Sequence, residues 1–202
     1  MTFKNRVHNA LINGALVYKS VFVDYDYLIY SKDFKNKPYY IISANEDNYP
    51  HLTGVTYFMT AQSFYTACIN GTLQETDFDF SSKSRTEKEV IGSVRRKIQV
   101  LPLIAGFFSG SLHAEEDFSK GSVFCSLATA DNQMTIGFVD SAVLRPKTLL
   151  KKNELDAANV VDVTLILRRN RITDVFDTVM QGDSESFRAI YPELLPTPDH
   201  TI

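Results

Sequence analysis

The chain has 202 residues, of which 44% are hydrophobic and 22% charged, with a formal charge of −3. That balance predicts one globular domain over 1–202 with ample chain to bury a core. No apolar run approaches the roughly 20 residues that span a bilayer, and the N-terminal run is broken by Asn9, Asn13 and Gly14. These features exclude a membrane span and a secretion signal, so the expected place is the cytoplasm.

Residues 2–19 carry Phe3, Val7, Leu11 and Ala15 at helical spacing, with Thr2 as N-cap. Tyr25–Tyr30 and Pro38–Ser43 are aromatic and β-branched runs around a polar segment, which predicts a hairpin. Next comes Tyr49-Pro50-His51-Leu52-Thr53-Gly54-Val55, placed between a strand-like run and a helix opening at Thr60. A histidine, a hydroxyl and a glycine at such a junction suit chemistry, because imidazole exchanges protons near neutral pH and glycine lets backbone approach a ligand. The same pattern also suits a hydrogen-bonded capping histidine, and the two readings stay open.

The segment 60–69 is a short helix with Phe64 and Cys68 facing inward and Asn70-Gly71 as its stop. A longer helix is expected from Ser84 to about Ile104, with Val90, Ile91, Val94, Ile98 and Leu101 as its apolar stripe and Pro102 ending or kinking it. Six basic residues stand against two glutamates over 83–97, and Arg95, Arg96 and Lys97 fall mostly off the stripe, free to meet solvent or a ligand. His113 follows Gly110-Ser111-Leu112 in what reads as a loop. Hairpins are expected at 123–139 and 160–179, the second with Arg168-Arg169-Asn170-Arg171 at its tip. Between them Leu144–Leu150 reads as a basic turn, and the proline-bearing 190–202 as a flexible tail. Strands without regular crossover helices imply an α+β fold, with helices packed on a small, mostly antiparallel sheet.

Phosphate-loop and dinucleotide fingerprints are missing, as is HExxH, and the four histidines are scattered. Cys68 and Cys125 lack paired spacing, which predicts free thiols. No metal and no cofactor is expected.

His51-Leu52-Thr53-Gly54 resembles the HLTG motif of a phage-associated family of barnase/EndoU/colicin/RelE-like nucleases. The likeness continues through Ala61, Phe64, Tyr65 and Cys68, through Leu73 and Asp77, and through Arg145-Pro146-Lys147-Thr148-Leu149-Leu150-Lys151, where the family tends to read Y-P-x-S-L-L-K. This chain departs from it at Arg145, where an aromatic is usual, and at Thr148, where serine is common. The likeness covers roughly 25–155, a nuclease-like core. It implies a metal-independent endoribonuclease of phage or mobile-element origin, cleaving RNA with histidine as acid or base. The residues that fit are His51, Thr53, Arg96 and Thr148 for catalysis, with Tyr57, Tyr65, Arg95, Lys97, Arg145 and Lys147 for substrate binding; His113 is a weaker partner acid. The alternative is a non-catalytic protein of the same origin that binds and inhibits a host factor. Convergence of His51, Thr53 and a guanidinium or ammonium group on one open pocket favours the enzyme; a His51 buried behind aromatics favours the binding protein.

Overall fold

The computed structural model describes residues 1–197. Helix α1 (Phe3–Tyr18) begins on the expected cap, Thr2 accepting the Asn5 amide while Asn5 returns a bond to the Thr2 amide. Val7, Leu11, Ala15 and Tyr18, three or four apart, are its buried face. Gly14 does not end the helix. It sits where α1 crosses Leu101 and Tyr49, and a Cβ there would fall 2.2 Å from Leu101 Cδ2. A π-helical turn, Lys19–Val23, delivers the chain to β1 (Tyr25–Tyr30), which forms the predicted hairpin with β2 (Tyr39–Ile42).

Helix α2 (Tyr49–Thr53) follows, then β3 (Thr56–Tyr57), α3 (Ala61–Ile69) and β4 (Phe78–Asp79), with β3 and β4 paired to each other. The long helix, α4 (Glu87–Val100), is shorter than 84–104. A capping box between Thr86 and Glu89 starts it, and a 3-10 segment, Leu101–Ser109, replaces its last turns with Pro102 where no donor is needed. The remaining strands are β5 (His113–Glu116), β6 (Ser119–Lys120), β7 (Val123–Phe124), β8 (Leu127–Ala130), β9 (Met134–Asp140), β10 (Leu144–Lys151), β11 (Val161–Asp162), β12 (Leu165–Asn170) and β13 (Thr178–Gln181), followed by α5 (Glu185–Arg188). No helix among the described residues is long and apolar enough to cross a membrane.

The α+β class stands, and the sheet is mostly antiparallel, but it is not small. Nine strands join in the order β11-β5-β8-β9-β10-β2-β1-β12-β13, and β10–β2 is the parallel pair. Beyond the six strands of the three expected hairpins, the expected 160–167 strand divides into β11 and β12, and two segments read as irregular add the rest. The loop around His113 is β5, and the basic turn at 144–150 is β10, paired with β9 from Leu144↔Asp140 to Lys151↔Met134. Pro146 hid that strand. It is tolerated because the register shifts between Pro146 and Thr148, a bulge where a ladder donor is dispensable. The last hairpin turns beyond Asn170, so Arg168 and Arg169 lie within β12 and not at a tip.

Helices α1, α3, α4 and the 3-10 segment cover one face of the sheet, sharing a core with Ile29, Ile42, Leu127, Ile136 and Leu149. Alternate strand residues face the other way. There Leu28, Leu165 and Leu167 meet Phe176, Phe187 and Leu195, and separately Ala128 meets Phe118 and Cys125. Of the expected tail, Pro192–Leu194 forms a helical turn and Leu195 is buried, while 198–202 lie outside the described residues. Cys68 and Cys125 are free and buried in different cores.

Candidate functional site

The His51 stretch is not an open turn; it is the helix α2 itself. Pro50 supplies the preset φ of a first helical turn, and Gly54, at φ 79, ends the helix in the left-handed region. Tyr49 and Leu52 are buried and anchor α2, which leaves His51 exposed. Thr53 is wholly buried. Its Oγ1 donates to the Pro50 carbonyl at 2.8 Å, so the hydroxyl closes the helix and does not face a ligand.

Lys97 is the unusual group. It is 9% exposed because it occupies the apolar stripe of α4, in sequence with Val90, Val94 and Val100, and not the solvent face expected for it. Its stem lies against Gly54, where a Cβ would come within 2.8 Å of Lys97 Cδ. Its Nζ donates to the His51 carbonyl at 3.3 Å. No carboxylate of the described residues forms an ion pair with it. Burial, aided by the Arg85 charge, pushes its ammonium down to about 8.

Lys97 lines a cleft of about 100 Å³ with Ser93, Arg96, Leu149, Leu150, Lys151 and Glu154. Glu154 is held by Lys120 at 2.6 Å and Lys151 by Gln99 at 2.9 Å. A space of this size suits a phosphate group and is far below that of a site for a drug-sized ligand. Larger cavities lie elsewhere with less suitable linings. One of about 280 Å³ is walled by Asp33, Glu115, Glu116 and Asp117, which repel a phosphate, and one of about 410 Å³ between β2 and the β9–β10 turn is largely apolar.

The other predicted residues divide. Arg96 reaches the cleft, while Arg95 lies over the Phe3 ring at 5.2 Å. Lys147 and Thr148 belong to the far face of the sheet: Lys147 Nζ donates to the Phe124 carbonyl, and Thr148 packs with Cys125 around Gly137. The bulge at Pro146 decides this, since it resets which residues of β10 point to the helices. Tyr57 is half-buried against Phe64, and Tyr65 is 2% exposed among Tyr18 and Tyr49, so its ring is not presented to a base. The Tyr65 hydroxyl has no partner among the described residues, and burial pushes the phenol well above its ordinary range. His113 stands on β5 and pairs with Asp162 at 2.9 Å, across the sheet from α2. Arg145 donates to the Ser43 carbonyl and to Asn45 Oδ1, at the end of β2. Sequence reasoning missed Asn45 and the part that Arg171 plays beside it; the only signal was the basic run at 168–171.

The family model described as phage-Barnase-EndoU-ColicinE5/D-RelE like nuclease 4 matches residues 10–174. The chain belongs to this family. The match extends beyond the roughly 25–155 that the motifs cover, taking in the end of α1 and the strand β12. No curated protein and no solved structure matches the chain. Helices α2 and α4 meet where the buried Lys97 ammonium bonds the His51 backbone carbonyl, and Arg96 lines the cleft beside Lys97.

Proposed function

We propose that this family member is a metal-independent endoribonuclease whose centre is His51 with Lys97 and Arg96. The observation that carries the reading is Lys97: a buried cation with no ion pair among the described residues, bonded to the His51 carbonyl and lining a phosphate-sized cleft whose one carboxylate, Glu154, is paired with Lys120. Folding gains nothing from such a charge, so an anionic ligand is its natural complement. In RNA cleavage the 2′-hydroxyl attacks the adjacent phosphorus and the 5′-oxygen leaves. His51, exposed on α2, serves as acid or base in that exchange. Lys97 and Arg96 neutralise the charge that builds on the phosphoryl oxygens. Thr53 enters as a positioning residue, holding the α2 turn that presents His51.

A fluorogenic RNA assay in EDTA tests the reading. Wild type is expected to cleave, and His51→Ala to lose roughly 10²–10⁴ in rate with its thermal midpoint nearly unchanged, since His51 is exposed. Wild type inactive across a broad RNA panel, or active only with added metal, overturns it. His51 is not buried behind aromatics, but Thr53 does not join it and a cation in one open pocket, so the host-factor-binding alternative is decided by the same assay.

A further inference from the structure

Strands β10, β2, β1 and β12 are neighbours in the sheet, and one margin collects the start of β10, the end of β2, the start of β1 and the end of β12. Arginines gather there. Asn45 Oδ1 accepts from Arg145 at 2.9 Å and from Arg171 at 3.4 Å, so two guanidinium groups meet on one amide oxygen. Arg171 also donates to the Ala44 carbonyl at 2.7 Å and to Ser43 Oγ at 2.8 Å and shares the buried Asp26 with Arg169, so its part is to add charge while Arg145 supplies the free donors. Arg169 and Arg171 thus have Asp26, and Asp47 also acts on Tyr18 beneath the cluster, whereas Arg145 forms no ion pair among the described residues. Both bonds that Arg145 makes use Nη1, which leaves Nε and Nη2 for a ligand.

The backbone beneath the cluster is hydrogen-bonded, and Arg145 and Arg171 are both half-exposed. Asn45 is exposed, yet its carbonyl takes the Tyr18 hydroxyl at 2.7 Å and its amide donates to Asn48 Oδ1 at 2.8 Å. Like charges held side by side repel unless an anion joins them, and a planar guanidinium fork matches phosphate oxygens. The six-residue step along β10 from Arg145 to Lys151 spans roughly 20 Å, so the cluster cannot hold the same phosphate as the Lys97 cleft.

We propose that Arg145 and Arg171, gathered on Asn45, form a second phosphate-binding subsite that holds the backbone of single-stranded nucleic acid several nucleotides from the Lys97 cleft. The identity of the ligand rests on the nuclease reading; the anion site itself rests on the arginines.

Fluorescence anisotropy tests it with a single-stranded 2′-O-methyl RNA of about 12 nucleotides, which offers no 2′-hydroxyl to attack, and with DNA of the same sequence. Arg145→Gln is expected to weaken binding about tenfold at low salt and to lower the log–log salt slope by about 0.7. The ratio of wild-type to variant affinity should grow with length from a dinucleotide to the full oligonucleotide. Arg145→Lys should keep the salt slope and regain part of the affinity, and it serves alone if the glutamine variant does not fold. An Arg145→Gln protein with wild-type affinity and slope, a ratio independent of length, or an Arg145→Lys protein indistinguishable from wild type overturns the proposal. Equal losses on RNA and DNA assign the subsite to the phosphates; a loss confined to RNA overturns a pure phosphate subsite. If wild type cleaves no RNA yet binding depends on Arg145, the subsite stands and the nuclease reading falls. Cleavage with Arg145-independent binding gives the reverse.

Discussion

At the residue scale the protein turns on one lysine placed where a core residue belongs. Lys97 ordinarily titrates near 10.5 and is pushed down to about 8 by burial, which costs the folded protein on the order of 3 kcal/mol at neutral pH. Below pH 8 the folded and unfolded chains both hold this proton, so the penalty is complete. Between about 8 and 10.5 the folded chain releases it first, the unfolded chain binds more protons, and stability rises with pH. Lys97→Met removes the charge and keeps most of the stem packed on Gly54. It is expected to stabilise by about 1–3 kcal/mol at pH 7, a gain of several degrees in thermal midpoint, and to erase the Lys97 part of the rise above pH 8. The same variant should lose RNA cleavage. Thermal unfolding followed by circular dichroism at pH 7 and pH 9 reads the first effect; a fall in midpoint would mean that the bond to the His51 carbonyl outweighs the buried charge.

At the element scale the proposed centre rests on a five-residue helix, too short to be stable alone. It exists because Tyr49 and Leu52 are buried, Pro50 presets its start and Gly54 ends it in a left-handed conformation. Gly54 has a second duty, since its missing side chain is the space that the Lys97 stem fills. Gly54→Ala therefore combines backbone strain of about 1–2 kcal/mol with displacement of Lys97. Urea unfolding should show a loss of at least that size, and cleavage should fall further than the remaining folded fraction explains. A variant with wild-type stability would show that the α2–α4 junction can yield. Strand β10 plays the matching part from below: its bulge sends Lys147 and Thr148 to one face and leaves Leu149 and Lys151 beside α4.

At the scale of the whole molecule, the nine-stranded sheet separates two chemistries. Helices fill one face with a continuous core, and the opposite face carries two smaller apolar clusters. The two cysteines lie one in the helical core and one in a far-face cluster, and burial pushes the Cys68 thiol up to about 12. Both thiols should be nearly silent to a disulfide reagent in native buffer at pH 8 and react in full after unfolding in guanidinium without reductant. A rate for Cys125 far above global unfolding would mark the far-face cluster as a unit that opens independently. Fewer than two thiols after unfolding would mean that one is consumed in a bond.

Local chemistry determined much of this protein without reference to its fold. The Thr2 cap, the stripes of α1 and α3 and the β1–β2 and β8–β9 hairpins follow from spacing and turn residues, because each depends on neighbours within a few positions. The HLTG run and its companion segments were enough to indicate the family. The burial of Lys97 was also open to a reader, since 90, 94, 97 and 101 share one helical face; charge was given more weight than position. What only tertiary structure decided was which candidates meet. Proline masked β10 as a turn, and the bulge beside it turned Thr148 away from α2, an outcome fixed by pairing with β9 and absent from the local sequence. The meeting of Arg145 with Arg171 likewise depends on β2 and β1 lying between β10 and β12, a neighbourhood set by long-range strand order and not by any spacing along the chain.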